Sequence, residues 1–260
     1  MPRFAANLSM MFNEVPFLDR FARARAAGFA AVEFLFPYDH PAAEIRARLD
    51  GEGLSLVLFN APPGDWDGGE RGTASLPGRE GDFRDGIARA LDYAGALGCP
   101  RLHVMAGNAP EGTSRDALAA RYAANLDWAA GQLAPHGVKP VIEPINGRDM
   151  PAFFLRTTAQ AVAVIEAVGP DRLGLQYDLY HTQITEGDLV KRAERLLPYI
   201  AHMQVADVPA RNEPGTGEVA WPFVFDRLDV MGYRGWIGCE YRPAGNTEAG
   251  LSWFAPYRAA

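Results

Sequence analysis

Eight short strand-like runs alternate with segments of helical periodicity along this 260-residue chain, and that alternation restricts its fold more than any other feature. The runs are FAANL from Phe4, AAVEFLF from Ala30, LSLVLFN from Leu54, RLHVMAG from Arg101, KPVIEPI from Lys139, LGLQYDL from Leu173, IAHMQVA from Ile200 and WIGCEY from Trp236. Each is short, largely apolar and followed by turn residues, as strands are. Between them Phe83, Ile87, Leu91 and Ala94 recur at helical spacing, and so do Leu118, Tyr122, Leu126, Ala129 and Leu133, which predicts amphipathic helices. Gly28, Gly53 and Gly98 stand just before the next strand, where a left-handed helix cap would sit. Strict βα alternation calls for a parallel sheet with helices outside it, and eight units favour a closed (β/α)8 barrel. Pattern alone leaves an open doubly wound sheet as the alternative. The length suits one barrel domain over residues 1–260.

The polar residues within these runs carry the functional information. In KPVIEPIN, Glu143 interrupts an apolar strand, and a bare carboxylate there needs a cation, a proton or hydrogen bonds. Asp178, Gln204 and Glu240 occupy similar late positions in the next three strands. Period-two alternation puts Glu240 on one face with Gly238, Asp178 with Gln176, and Gln204 with His202, while their apolar neighbours face the helices. In a parallel barrel the strand C-termini meet at one mouth, so these four would aim three carboxylates and one amide at a common point. A divalent cation is the simplest relief of their repulsion, and oxygen ligands suit Mg²⁺ or Mn²⁺ better than structural zinc. Any one of them alone would read as a strand-end cap or salt bridge; four consecutive strands together favour a site.

Two long post-strand segments, residues 61–81 and 207–220, would lie over that mouth. They hold Trp66, which could close over a ligand or merely anchor its loop, and Arg71, Arg79 and Arg211. With Arg242, these are the candidates for clamping a substrate carboxylate. His181, three residues past Asp178, could reach a substrate oxygen, whereas His103 and His202 read as satisfied interior groups.

Several functions are disfavoured. With 25 Lys and Arg against 32 Asp and Glu, the formal charge of −7 does not suit a surface that tracks nucleic-acid phosphates. No run is long and apolar enough to suggest a membrane-spanning helix, and the N-terminus does not read as a signal peptide. Two cysteines without CxxC spacing fit a reducing compartment, with the cytoplasm as the expected location. GTGEVA, from Gly215, is separated from its strand and is not a dinucleotide fingerprint, so no nucleotide cofactor is expected. Self-association into a homo-oligomer is compatible with the sequence.

Taken in order, RFAANLSMMF, VEFLFPYD, PPGDWDGGERG, LPGRE, VIEPIN, QYDLYH, NEPGTGE and GWIGCEYRP resemble the hydroxypyruvate isomerase family of the xylose isomerase-like barrels, across essentially the whole chain. The resemblance implies an isomerase of small hydroxy-carbonyl acids, assisted by a divalent metal. It implies that Glu143 and Glu240 are an acid/base pair, that Asp178 and Gln204 complete the metal ligands, and that His181 and Arg211 touch substrate. RFAANLSMMFNEVPF, HVMAGNAP and GLSWF also resemble a sister group acting on 2-oxo-tetronates.

Overall fold

The structure is a computed structural model describing residues 1–258. All eight expected strands form: β1 (Arg3–Asn7), β2 (Ala31–Glu33), β3 (Ser55–Asn60), β4 (Arg101–His103), β5 (Lys139–Ile142), β6 (Gly174–Asp178), β7 (Ile200–Gln204) and β8 (Trp236–Cys239). Each pairs in parallel with the next, and β1 returns to β8 with Phe4 opposite Ile237 and Ala5 opposite Gly238, which closes the barrel and eliminates the open-sheet alternative.

Helices α1 (Arg20–Ala26), α2 (Ala42–Glu52), α3 (Glu80–Leu97), α4 (Arg115–Leu133), α5 (Thr158–Val168), α6 (Leu179–Thr185), α7 (Leu189–Leu196) and α8 (Trp221–Val230) wrap the barrel. The predicted apolar stripes face the barrel: Phe83, Ile87 and Ala94 on α3 are buried and Leu91 is half-buried, and Leu118, Tyr122, Leu126, Ala129 and Leu133 on α4 are all buried. Gly53 and Gly98 end α2 and α3 in the left-handed conformation, with φ of 61° and 67°, which glycine adopts without steric cost.

Most of the hydrophobic core lies between strands and helices. Inside the barrel the side chains are of another kind. Every strand has a buried polar residue at or just past its C-terminal end: Asn7, Glu33, Asn60, His103, Glu143, Asp178, Gln204 and Glu240. The apolar residues beside them, such as Tyr177, whose hydroxyl donates to the Leu189 carbonyl of α7, turn outward. Buried polar groups persist when bonded to one another or to a ligand, and within this ring Asn7 and Gln204 both donate to Glu33.

Candidate active site

A cavity of about 110 Å³ opens at the C-terminal end of the barrel. One side is polar and carries Glu143, His181, Arg211, Glu240 and His103; Met10, Leu35, Trp66, Met105, Ile145 and Met150 form a largely apolar wall joined by Asn60. Glu143, Asp178, His181 and Glu240 are all buried, and one potential ligand atom from each falls within 4.8 Å of all the others.

Local folding places each of these groups. Asp178 ends β6 and caps α6: its Oδ1 accepts from the Tyr180 backbone N–H at 2.7 Å, which leaves Oδ2 on the side of His181 and Arg211. Oδ2 and Glu143 Oε1 are buried without a hydrogen-bond partner. His181, on the first turn of α6, puts Nε2 3.6 Å from Asp178 Oδ2 and 3.9 Å from Glu143 Oε1. Arg211 donates to Glu240 Oε2 at 2.7 Å, lies 3.8 Å from Asp178 Oδ2 and 3.5 Å from Asp149 Oδ2, and stacks its guanidinium 4.9 Å from the Tyr180 ring centroid.

The segment that presents Arg211 is pinned from within. Asp207 accepts from the backbone N–H groups of Val208, Gly215, Gly217 and Val219, at 2.9, 2.8, 2.9 and 3.3 Å. Arg211 itself takes a left-handed φ of 60°, a conformation that costs a non-glycine residue about 1–3 kcal/mol and tends to persist at functional sites.

Burial dominates the electrostatics. It raises Glu143 well above the usual carboxylate range, with the charges of Glu240 and Asp178 adding to the effect. Burial also lifts Glu240 to about 8 and Asp178 to about 6, each partly opposed by Arg211. His181 is depressed well below the ordinary imidazole value by burial and Arg211, and His103 to about 3 by burial and His202. For Arg211 burial works against the charge, but Glu240, Asp178, Glu143 and Asp149 overcome it and raise its pKa.

These residues fit a divalent cation: two carboxylate oxygens are orphaned in a buried, multiply acidic cluster, and hard oxygen donors suit such an ion. A pH dependence follows. A carboxyl group raised from 4.5 to about 8 holds its proton in the folded state while the unfolded chain has released its own, so the metal-free protein loses stability as pH rises through that interval. A cation favours the ionised form and counters that loss. Adding Mg²⁺ or Mn²⁺ should therefore raise the melting temperature more at pH 8 than at pH 5; an equal shift at both would contradict a carboxylate-held ion.

Of the residues singled out from the sequence, Glu143, Asp178, Glu240, His181, Arg211, Arg242 and Trp66 are brought to this place. One expectation needs correction and another is narrowed. Arg71 does not line the cavity: its guanidinium stacks 3.9 Å from the Trp66 ring centroid and donates to the Trp66 and Glu70 carbonyls, so it braces the tryptophan. Gln204 lies on the predicted face, but its amide is engaged sideways. Its nitrogen donates to Glu33 Oε1 at 2.8 Å and its oxygen accepts from Gln176 at 2.6 Å, which leaves that oxygen one lone pair for a ligand.

Sequence reasoning passed over His103, whose Nδ1 lies 3.7 Å from Glu143 Oε2 and whose Nε2 is buried without a partner. It also passed over Asn60 on the cavity wall and Glu33 beneath it, although both end strands as Glu143 does.

Residues 21–257 match the profile of the xylose isomerase-like TIM barrel family. The chain belongs to that family. Among its relatives, the 2-oxo-tetronate isomerase of Cupriavidus necator (strain ATCC 17699) is 56% identical, with 99% of each chain covered. The hydroxypyruvate isomerase of Escherichia coli (strain K12) is 46% identical, covering 99% of this chain and all of the relative. A solved structure from Brucella melitensis described as an AP endonuclease of family 2 superimposes with a TM-score of 0.97 at 51% identity over the full length of both chains. Within the xylose isomerase-like TIM barrel family, then, this chain shares its whole length with enzymes named as isomerases.

Proposed function

We propose that this protein is an aldose–ketose type isomerase that interconverts hydroxypyruvate and 2-hydroxy-3-oxopropanoate, with Glu143 and Glu240 exchanging the proton. The observation that carries this reading is the meeting of two buried glutamates from β5 and β8, both with pKa raised by burial, in a cavity of about 110 Å³, a volume that suits an acid of a few carbons. Raising a carboxyl group's pKa by burial makes its ionised form a stronger base and suits it to proton transfer.

The reaction moves a carbonyl to the neighbouring carbon. One carboxylate takes a proton from C3, C2 receives one on the other side of the step, and the hydroxyl proton passes from O3 to O2. Negative charge builds on the two oxygens meanwhile, and the Arg211 guanidinium and the polar side of the cavity face it. A divalent cation, Mg²⁺ or Mn²⁺, held by Glu143, Asp178 and Glu240 with the remaining lone pair of Gln204, would supply further electrostatic stabilisation of that charge. Trp66, packed on Phe36 at 5.0 Å and braced by Arg71, covers the apolar wall and limits water.

A second reading, isomerisation of 2-oxo-tetronates, is favoured by the 56% identity to the Cupriavidus enzyme. The chemistry is the same and only the substrate tail differs. Incubation of hydroxypyruvate and of 2-oxo-tetronates in D₂O with Mg²⁺ or Mn²⁺, followed by NMR, separates the two. Deuterium should enter at carbon as the carbonyl migrates, in one substrate class preferentially; no exchange with either would reject an isomerase of this kind. Cleavage of abasic DNA under the same conditions is not expected, given the charge of −7.

On this reading residues 1–260 act as one barrel domain on a small molecule, without a nucleotide cofactor. The two buried free thiols, Cys99 and Cys239, fit a reducing cytoplasm. Among the described residues no helix is long and apolar enough to cross a membrane.

A further inference from the structure

We infer that Asn146 is a positioning residue that locks His181 in the tautomer with its proton on Nε2, making His181 a hydrogen-bond donor toward the substrate oxygens and not a cation ligand. Its part in the reaction rests on the proposed isomerase chemistry; the tautomer rests on geometry alone.

The argument begins at the far side of the ring. His181 Nδ1 lies 2.6 Å from the Asn146 side-chain nitrogen and 3.4 Å from the Asn146 backbone nitrogen. The amide cannot be turned round to offer its oxygen instead. Oδ1 already accepts from the backbone N–H groups of Arg148 and Asp149 at 2.9 and 2.8 Å, and the nitrogen also donates to Asp149 Oδ2 at 3.3 Å. Both groups facing Nδ1 are therefore donors, so Nδ1 must offer a lone pair, and a neutral imidazole then carries its hydrogen on Nε2. An imidazolium would place Nδ1–H against two donors.

Nε2 is the ring atom that faces Asp178 and Glu143. A metal-bound histidine shows the reverse pattern: the ligating nitrogen gives its lone pair and the other donates its hydrogen to an acceptor. By that criterion His181 is set apart from the carboxylates with which it clusters, and its N–H is free to follow charge as it grows on the substrate. Asn146 is fully buried and follows VIEPI directly, so the strand that supplies Glu143 also supplies the residue that orients His181.

The direct test is long-range ¹H–¹⁵N NMR of the histidines in the full-length, metal-free chain, with His181 assigned from its loss in His181→Gln. The expected spectrum shows His181 protonated at Nε2 and bare at Nδ1, unchanged on saturation with Mg²⁺. Protonation at Nδ1, or loss of the Nε2 hydrogen when Mg²⁺ is added, would overturn the assignment.

The functional half uses Asn146→Asp with Asp149→Asn, which exchanges the donor for an acceptor without adding charge, against Asp149→Asn alone. The double variant should flip the tautomer and lower kcat by about 10- to 100-fold relative to that control, with a smaller change in KM. A flipped tautomer with kcat equal to the control would overturn the positioning role. If the wild-type protein turns over none of the acids, the isomerase reading fails, while the spectrum still decides the tautomer.

Discussion

Replacing Glu240 by Gln will lower kcat by about 10²- to 10⁴-fold and stop deuterium from solvent appearing at substrate carbon. The substitution is nearly isosteric, and a glutamine oxygen can still accept the bond that Arg211 donates to Glu240 Oε2, so the variant should keep its fold and the position of the guanidinium. It removes basicity. Because Glu240 also belongs to the acidic cluster, the loss must be measured at saturating Mg²⁺ or Mn²⁺, with the dissociation constant of the ion determined separately. Activity restored by excess ion would assign Glu240 to holding the cation alone. Continued wash-in of deuterium by the variant would remove it from the proton path.

The second large effect is on stability. In Gly238→Ala the added Cβ overlaps both carboxylate oxygens of Glu33, which reaches across the barrel interior from β2. That carboxylate has little freedom to retreat: it accepts from Asn7 at 3.0 Å and Gln204 at 2.8 Å, lies 2.6 Å from His202 Nε2, and is fully buried with all of them. Moving it overpacks the interior or breaks its buried hydrogen bonds, and either costs about 1–3 kcal/mol. We expect a loss of about 3 kcal/mol in urea denaturation. Gly238 also pairs with Gln204 in the barrel register, so the activity of the surviving folded protein should fall as well. A loss below about 1 kcal/mol would show that the deep polar tier yields easily.

The barrel was legible because its signal is repetitive: each of eight βα units carries its own period and punctuation, and errors of a residue or two at an end leave the count intact. The core of the candidate site was legible for a related reason. Period-two alternation decides which face a strand residue uses, and the tips of neighbouring parallel strands must be close, so Glu143, Asp178 and Glu240 could be brought together on paper. Alternation is silent on what a side chain meets once it points inward. Gln204 looked like a free ligand because nothing local reveals that Glu33, 171 residues away, accepts its amide hydrogens. Arg71 looked like a clamp because stacking on Trp66 depends on how a loop folds back on itself. His103 reads from the sequence as a satisfied interior group, although Asn7, Glu33, Asn60 and His103 show the same strand-end polarity as Glu143, Asp178, Gln204 and Glu240. The signal was there, but with no carboxylate cluster among the first four to demand compensation it attracted no hypothesis.

The ring of strand tips is divided into two arcs. From β5 to β8 the tips supply the acidic groups of the cavity, whereas its apolar wall draws mainly on the other half of the barrel, with Met10, Leu35, Trp66 and Met105 following β1 to β4 and Asn60 ending β3, joined by Ile145 and Met150 after β5. Selection can therefore reshape the room left for a substrate tail through one arc and inherit the other intact. Two members of such a lineage can share every group that handles hydrogen and still prefer acids differing by a single carbon, and their divergence would be written in methionines and leucines instead of glutamates.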